Sequence, residues 1–577
     1  MRKILIVGGV AGGATAAARL RRLNEQDEII IFERDEYISF ANCGLPYYIG
    51  DVIKDRKKLL VQTVEGMSKR FNLDIRNFSE VINVDREKKT VTVRKIKTGE
   101  TYTESYDILI LSPGAKPLRP NIDGIDEAKN LFVLRNILDA DTICNFIDEN
   151  KPKSAVVIGG GFIGVEMAEN LSKRGIKVTL VEKMNQVLAP LDFEMAQLVH
   201  QELNAHDVDL ILSNGIASFK DNGCKVILES GLALDTDMII LSIGVAPEIP
   251  CKQLSVSSVE NPLAKSCGLA LGERGHIKTT KQLQTIDEKT GQVIDDIYAI
   301  GDAIQVTDFI TGTDTAIPLA WPANRQGRLV ADHINGIDIS YDGSLGASVL
   351  KVFDLTVASV GNNERQLKAK GINYKAIHAH RPNHASYYPG ATNIALKLLF
   401  DSDSGKILGA QAVGREGTEK RIDVIAAAIR LGGTIRNLPE LELCYAPPFS
   451  AAKDPVNILG YIACNVADNV YDMVHWNEID EIVANGGYLL DVRTPAEFDK
   501  GHINGAINIE LDALRDRINE IKVPKDTPIY VYCRVGLRAY LAIKILKANG
   551  FKKVYNLSGG YLTYKGAKYK VKNTQVN

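Results

Sequence analysis

The chain has 577 residues, 45% hydrophobic and 24% charged, with a formal net charge of −2. At roughly 150 residues per domain this length holds about four domains, each able to bury a core. The near-neutral balance excludes a general nucleic-acid or membrane-surface binder. Eight cysteines lie scattered at 43, 144, 224, 251, 267, 444, 464 and 533, without dense pairing or CxxC spacing, which fits a reducing cytosol. The opening MRKILIVGGVAGG puts two basic residues before an apolar run, as a signal peptide does. That run is only Ile4–Val7, a predicted buried strand entering a turn. No stretch reaches the roughly 18 apolar residues of a membrane helix, and the expected location is cytoplasmic.

KILIVGGVAGGATAAARL (3–20) predicts a strand, a glycine turn and an Ala-rich helix. Its glycines are Gly8, Gly12 and Gly13, with Val10 where a strict GxGxxG has its middle glycine. Glu33 follows 20 residues past Gly13, after a predicted strand Ile29–Phe32. SAVVIGGGFIGVEMAENL (154–171) repeats the pattern strictly, with Gly159, Gly161 and Gly164, and Glu182 after the predicted strand Val178–Val181. Glycines let backbone approach a pyrophosphate at a helix N-terminus, and the downstream carboxylate takes ribose hydroxyls. Two such units predict two dinucleotide sites.

Between them, SFANCGLPYYIG (39–50) carries a lone cysteine, Cys43; Tyr48 stands five residues on, and the next cysteine is Cys144. Pro46 suits the first turn of a helix, so Cys43 is expected just before a helix N-terminus, where the dipole favours a thiolate. A buried packing cysteine is the alternative. Arg19 and Arg22 are three apart and share a helix face. His378, His380 and His384 form HxHxxxH, read as a polar surface strand, with no metal expected. After about residue 470 the pattern restarts. IYVYCRVGLRAYLAIKIL (529–546) predicts a strand delivering Cys533 to a turn before a helix. Arg534, Gly536 and Arg538 follow, an arrangement suited to an anionic sulfur.

The two glycine motifs, ILILSPGAKPLRP (108–120) and IYAIGDAI (297–304) together resemble the two-dinucleotide flavoprotein reductases over about residues 1–455. SFANCGLPY resembles the active-site segment of coenzyme A-disulfide reductases and the related NADH oxidases, peroxidases and persulfide reductases. YLLDVRTPAEFDKGHINGAINI (488–509) and the Cys533 segment resemble a single-domain rhodanese, a dual-specificity phosphatase being arguable from loop spacing alone. The resemblance implies an α/β chain: two Rossmann-like domains for FAD and NAD, an α+β dimerisation domain, and a C-terminal α/β rhodanese domain. Expected boundaries are 1–115 with 251–325 for FAD, 116–250 for NAD(P)H, 326–460 for the interface, 461–474 as a linker and 475–569 for rhodanese.

By the same resemblance FAD is held by Gly8, Val10, Ala11, Gly12, Gly13, Glu33, Arg34, Val81, Gly114 and Asp302. The second site takes NADH through Gly159, Gly161, Gly164 and Glu182. Glu182 disfavours a 2′-phosphate, with NADPH as the alternative that Lys183 leaves open. Coenzyme A is expected at Thr15, Arg19, Arg22, Ser39, Asn42, Arg70 and Lys453. Tyr387, with Tyr388 as fallback, and Tyr445 are expected to reach the partner's Cys43 in a homodimer. No histidine lies between 385 and 474, so the His–Glu acid/base pair of typical disulfide reductases is absent. Cys533 would carry sulfane sulfur, while Asp491, Arg493, Glu497 and His502 match a mainly structural signature. The implied reaction is NAD(P)H-dependent reduction of CoA disulfide, CoA persulfide or polysulfide through Cys43, linked to the rhodanese. Oxidase and peroxidase members carry a histidine in the first glycine loop, where this chain has Ala11, which favours sulfur over oxygen. The alternatives are a sulfenate-using NADH oxidase or peroxidase, a redox-sensing sulfur carrier with little turnover, and a flavoprotein whose rhodanese domain only docks.

Overall fold

The computed structural model describes residues 1–248, 264 and 266–572. The expected boundary at 250/251 and Cys251 lie outside the described residues. Two compact units form, residues 1–185 with 211–346, and residues 186–210 with 347 to the C-terminus.

In the first unit, the apolar runs KILIV and EIIIF pair in parallel as strands Lys3–Val7 and Glu28–Phe32. Ile108–Leu111 lies on the other side of Lys3–Val7, and Val293–Ala299 beside that, so the chain returns to this sheet after a long excursion. Strands buried on both faces read as continuous Ile/Leu/Val runs, which is why these segments lack alternation. Helix Ala11–Leu23 packs against helix Ala320–Ile334 so closely that a Cβ at Gly327 would overlap Gly12 O. The boundary expected at 325/326 therefore falls inside a helix that belongs with the first glycine motif. The second motif sits in a parallel sheet where Ser154–Ile158 pairs with both Lys177–Val181 and Met238–Leu241.

In the second unit, an antiparallel sheet runs in the order Ser348–Val352, Leu355–Gly361, Ile407–Gly414, Asn393–Phe400, Lys375–Pro382. Helices Thr418–Arg430 and Pro455–Ala467 accompany it. The expected linker 461–474 is not one. Its first half is the end of the apolar helix Pro455–Ala467, and Asp472–Val474 pairs with Val554–Leu557 as an edge strand. The C-terminal sheet is parallel throughout, in the order Asp472–Val474, Val554–Leu557, Ile529–Tyr532, Tyr488–Asp491, Ile507–Asn508.

Candidate active site

Both glycine turns have the same construction. Gly8 and Gly159 have φ of +97° and +103°, the left-handed region in which glycine avoids strain. A Cβ at Gly13 would overlap Gly8 O, and one at Gly164 would overlap Gly159 O, so helix and strand touch backbone to backbone. Each turn is backed by a serine carbonyl, Ser112 O behind Gly8 and Ser242 O behind Gly159. This second echo is legible as LILSPG (109–114) and IILSIG (239–244), a signal that the glycine motifs alone do not include. The two acids also behave alike. Glu33 Oε2 accepts from Gly9 N at 2.9 Å and Oε1 from Asp35 N at 3.0 Å. Glu182 Oε2 accepts from Gly160 N and Oε1 from Met184 N, both at 2.7 Å. Burial pushes the Glu33 carboxyl up despite those two bonds.

Val10 precedes helix Ala11–Leu23 and Ala11 opens it. Arg34 pairs with Glu248 at 3.0 Å, and Arg135 pairs with the same carboxylate. Val81 is buried in strand Ser79–Asp85 at a bulge, and Gly114 has φ +76°. Asp302 lies in the turn Gly301–Ala303; burial pushes its carboxyl up to about 6, with Arg135 opposing. Its carboxylate accepts no hydrogen bond from the described residues.

The segment carrying Cys43 is joined to the first glycine loop at Ser39, whose N donates to Gly9 O at 3.0 Å. Ser39 itself has φ +43°, an uncommon left-handed serine at the start of the segment. Cys43 is exposed, in the turn Asn42–Gly44 that leads into the helix Leu45–Ile49. The expected lowering of the thiol by the helix dipole meets opposing influences. The helix has only five residues, and burial together with the charges of Glu166 and Asp302 pushes the thiol up.

The expected coenzyme A residues divide in two. Thr15 and Arg19 face helix Ala320–Ile334, where Thr15 Oγ1 donates to Asn324 Oδ1 and Arg19 Nε to Asp332 Oδ1, both at 2.6 Å. Arg22, Asn42, Arg70 and Lys453 are exposed, and Ser39 is half-buried.

In the second unit the Tyr387 and Tyr445 hydroxyls lie 2.8 Å apart on exposed side chains, and this bond pushes the Tyr387 phenol up. Tyr388 instead sets its ring edge-on to His384. His378 and His384 are buried and His380 is half-buried, correcting the surface reading. His378 Nε2 lies 2.8 Å from Glu194 Oε1 and its Nδ1 3.0 Å from Ser558 Oγ; His380 Nε2 lies 2.8 Å from Thr563 Oγ1. Alternation puts both histidines on one face, as expected, but that face holds the C-terminal domain.

In that domain Gly536, at φ +101°, caps helix Leu537–Ala548 and points its N–H at Cys533 Sγ, 3.1 Å away. Arg538 lies against the same sulfur and forms a two-pronged pair with Glu497 at 2.7 and 2.8 Å, which holds the Glu497 carboxyl down at about 2. Glu497 thus supports the cysteine loop directly, a role beyond the structural one expected. Asp491 and Arg493 form a buried pair at 2.6 Å, and Arg493 sits 4.2 Å above the Tyr561 ring. His502 stacks on Phe498 at 3.8 Å. Replacing Glu497 by glutamine is expected to cut sulfur transfer from thiosulfate to cyanide by about tenfold, through a loosened Arg538. Cys533→Ser should abolish it. Both are read as thiocyanate formed; unchanged transfer in Cys533→Ser removes Cys533 as the carrier.

Comparison with known proteins fits this geometry. The family model "pyridine nucleotide-disulphide oxidoreductase" matches residues 2–327, its dimerisation domain 347–455, and the rhodanese-like domain 467–567. The coenzyme A disulfide reductase of Staphylococcus haemolyticus is 39% identical over 464 residues, 80% of this chain and 99% of that protein. The crystal structure of reduced CoADR-RHD from Bacillus anthracis superposes with TM-score 0.93 at 57% identity, covering 98% of each chain. The NAD-dependent persulfide reductase of A. fulgidus gives 0.88 at 34% identity, covering 97% of this chain and 100% of that one. Two glycine sites, a lone cysteine in the segment that Ser39 joins to the first glycine loop, and these matches lead to one conclusion: the chain belongs to the pyridine nucleotide-disulphide oxidoreductase family and carries a rhodanese-like domain at its C-terminal end.

Proposed function

We propose that the chain is an NADH-dependent reductase of CoA disulfide, CoA persulfide or polysulfide, with Cys43 as its redox cysteine and Cys533 as a sulfane-sulfur carrier. The observation that carries the reading is Cys43 itself, in the segment tied to the first glycine loop through Ser39, with Tyr48 five positions on, where disulfide reductases of the glutathione reductase type carry a second cysteine. The partner sulfur must then come from the substrate.

The first site suits FAD. Its glycine turn leaves no room for a Cβ, its buried Glu33 presents a carboxylate to ribose, and Asp302 offers acceptors for ligand hydroxyls. FAD, when bound, supplies the two-electron relay between nicotinamide and sulfur. The second site suits NADH, and Lys183 is engaged by Glu229 at 2.9 Å, so it does little to offset Glu182 against a 2′-phosphate. Gly164→Ala is expected to raise the NADH KM at least about tenfold while flavin content stays normal, and Gly13→Ala to lose flavin, both from backbone overlap. Absorbance at the flavin band and steady-state kinetics separate the two.

Thiolate Cys43 attacks one sulfur of CoA disulfide; that S–S bond breaks, CoA thiolate leaves and takes a proton, and Cys43 remains in mixed disulfide with CoA. Two electrons from NADH cleave the mixed disulfide, returning the Cys43 thiolate and the second CoA thiol. With CoA persulfide the released product is hydrosulfide or CoA thiol. Thr15, Arg19, Arg22, Ser39, Asn42, Arg70 and Lys453 hold the CoA. Tyr387 and Tyr445 act in a cytoplasmic homodimer, hydrogen-bonding the partner protomer's sulfur; their 2.8 Å pairing favours Tyr387 over Tyr388. Among the described residues no helix is long and apolar enough to cross a membrane.

The test is anaerobic NADH oxidation with CoA persulfide, CoA disulfide and peroxide in parallel. Fast turnover with a CoA sulfur compound is expected. Turnover with peroxide alone would overturn the reading, in favour of an oxygen-handling sulfenate like that of the family's oxidases. Stoichiometric oxidation without turnover would make the protein a sulfur carrier.

A further inference from the structure

Arg421 is a buried charge that none of the chemistry above uses. It projects from helix Thr418–Arg430 and is 1% exposed. Its Nη1 donates to Gly417 O at 2.8 Å, and its Nη2 to Asn383 O at 2.7 Å and Asp454 Oδ2 at 3.0 Å. Asn383 opens the connection between strands Lys375–Pro382 and Asn393–Phe400, and that connection carries Tyr387. Asp454 closes the segment that carries Tyr445, and caps helix Pro455–Ala467 by accepting from Val456 N at 2.9 Å. One guanidinium thus bridges the two tyrosine segments.

Both ends of the bridge are reinforced. Ser450 Oγ donates to the same Asp454 Oδ2 at 2.6 Å, and Ala385 N donates to Ser450 O at 2.9 Å. Phe449 N and Ser450 N both donate to Ala446 O, next to Tyr445. Asn383 N donates to Thr392 O at 2.8 Å and Thr392 N to Asn383 Oδ1 at 2.9 Å, which closes the Tyr387 connection at its base. Asn383, Ala385, Ser450 and Asp454 are buried, whereas Tyr387 and Tyr445 are exposed and meet at their hydroxyls, 2.8 Å apart.

A buried ion pair is a poor means of stabilising a fold, since apolar side chains of similar volume often do as well or better. Arg421 carries a further cost, because its buried Nε has no hydrogen-bond partner among the described residues. What a guanidinium supplies is direction, through donors fixed in one planar fork. Exposed phenols are held by little packing of their own, so the backbones beneath them set their separation. Arg421 joins those backbones.

We propose that Arg421, with Asp454, is a positioning residue that holds Tyr387 and Tyr445 together as one hydroxyl pair for the sulfur chemistry. The inference rests on the reading of these tyrosines as groups that hydrogen-bond the reacting sulfur. Arg421 acts through the backbones of both segments.

The test is a double-mutant cycle on anaerobic, NADH-dependent reduction of CoA disulfide by the flavin-loaded protein. Its corners are wild type, Arg421→Lys, the paired Tyr387→Phe and Tyr445→Phe variant, and all three changes together. Lysine keeps the charge but lacks the planar fork that reaches Asn383 O and Asp454 at once. Arg421→Lys alone is expected to lower kcat about fivefold while the CoA disulfide KM stays within about twofold. The paired tyrosine variant should lose at least about tenfold. Adding Arg421→Lys to it should then change kcat by less than about 1.5-fold. Thiocyanate formation at Cys533 should be unchanged in Arg421→Lys, which checks that the second unit is folded. A fivefold loss repeated in the tyrosine background would mark a general structural role and overturn the proposal, as would an unmoved kcat in Arg421→Lys. Wild-type turnover in the paired tyrosine variant would overturn the reading of the tyrosines and the proposal with it. That failure is distinct, because it shows where Arg421 is intact. If Arg421→Lys fails the folding check, Ser450→Ala replaces it in the cycle, removing one bond to Asp454 and leaving both charges. It should lower kcat about twofold where the tyrosines are present and not where they are replaced; an unmoved kcat, or the same loss in both backgrounds, overturns the proposal.

Discussion

Cys43→Ser is expected to lower NADH-dependent reduction of CoA disulfide and CoA persulfide by a factor on the order of 10³ or more, as removal of a covalent nucleophile does. The described cysteines are all free, and Tyr48 stands where a dithiol enzyme would have its second sulfur. A serine hydroxyl at this site neither forms a mixed disulfide nor accepts two electrons at sulfur. Flavin content should be unchanged, because the glycine turn and Glu33 are assembled without Cys43. The measurement is anaerobic NADH oxidation together with the flavin absorbance of the purified protein. Turnover retained at more than a few per cent would move the redox chemistry away from Cys43.

Lys397→Met should be the most destabilising single change in the second unit. Lys397 is fully buried on strand Asn393–Phe400 and meets three carboxylates: Asp192 at 2.9 Å, Glu194 and Glu364. The cluster is well satisfied. Gln411 Nε2 donates to Asp192 Oδ2 at 2.7 Å, Tyr374 Oη to Glu364 Oε2 at 2.6 Å, and His378 completes Glu194. Removing the buried cation leaves buried charge that the exposed Lys368, 3.5 Å from Glu364, does not compensate, a loss of about 3–5 kcal/mol. For a unit of this size that corresponds to a fall of about 10 °C in the unfolding midpoint, followed by calorimetry. A shift within about 1 °C would mean that the carboxylates reprotonate or hydrate without cost.

The same cluster sets an acid limit. Burial opposes ionisation of Glu194 and Glu364, but Lys397 overcomes it, holding Glu364 down at about 2 and Glu194 lower still. A depressed carboxyl contributes stability that is complete above its unfolded value of about 4.5. That contribution fades as pH falls toward the folded values. Asp192 runs the other way, since burial outweighs Lys397 there and pushes it up. Two groups against one leave acid destabilisation as the net direction, and it should be weaker in Lys397→Met.

The readable part of the chain was local. Each glycine turn with its acid, the strand before it and the helix after it occupy a few dozen consecutive residues. Backbone sterics alone demand glycine at Gly8, Gly13, Gly159 and Gly164. Cys43 and the absence of a companion at Tyr48 were equally plain, as was Cys533 between an apolar strand and an amphipathic helix. These features depend on residue type and short spacing, which a sequence displays directly.

What only the tertiary structure decided involves residues distant in sequence. Gly327 against Gly12 shows that helix Ala320–Ile334 belongs with the first glycine motif, and no periodicity announces that partner. The histidines at 378 and 380 alternate as surface polar residues do, and only Ser558, Thr563 and Glu194 show them covered and bonded. Lys397 reads as an interruption in an apolar strand until its three carboxylates arrive from separate segments. Glu166 sits within a recognised motif, yet its bond to Tyr47 spans 119 residues. Burial is the common reason. A charge's cost and its partners are set by what packs over it, and that packing comes from segments a linear pattern does not connect.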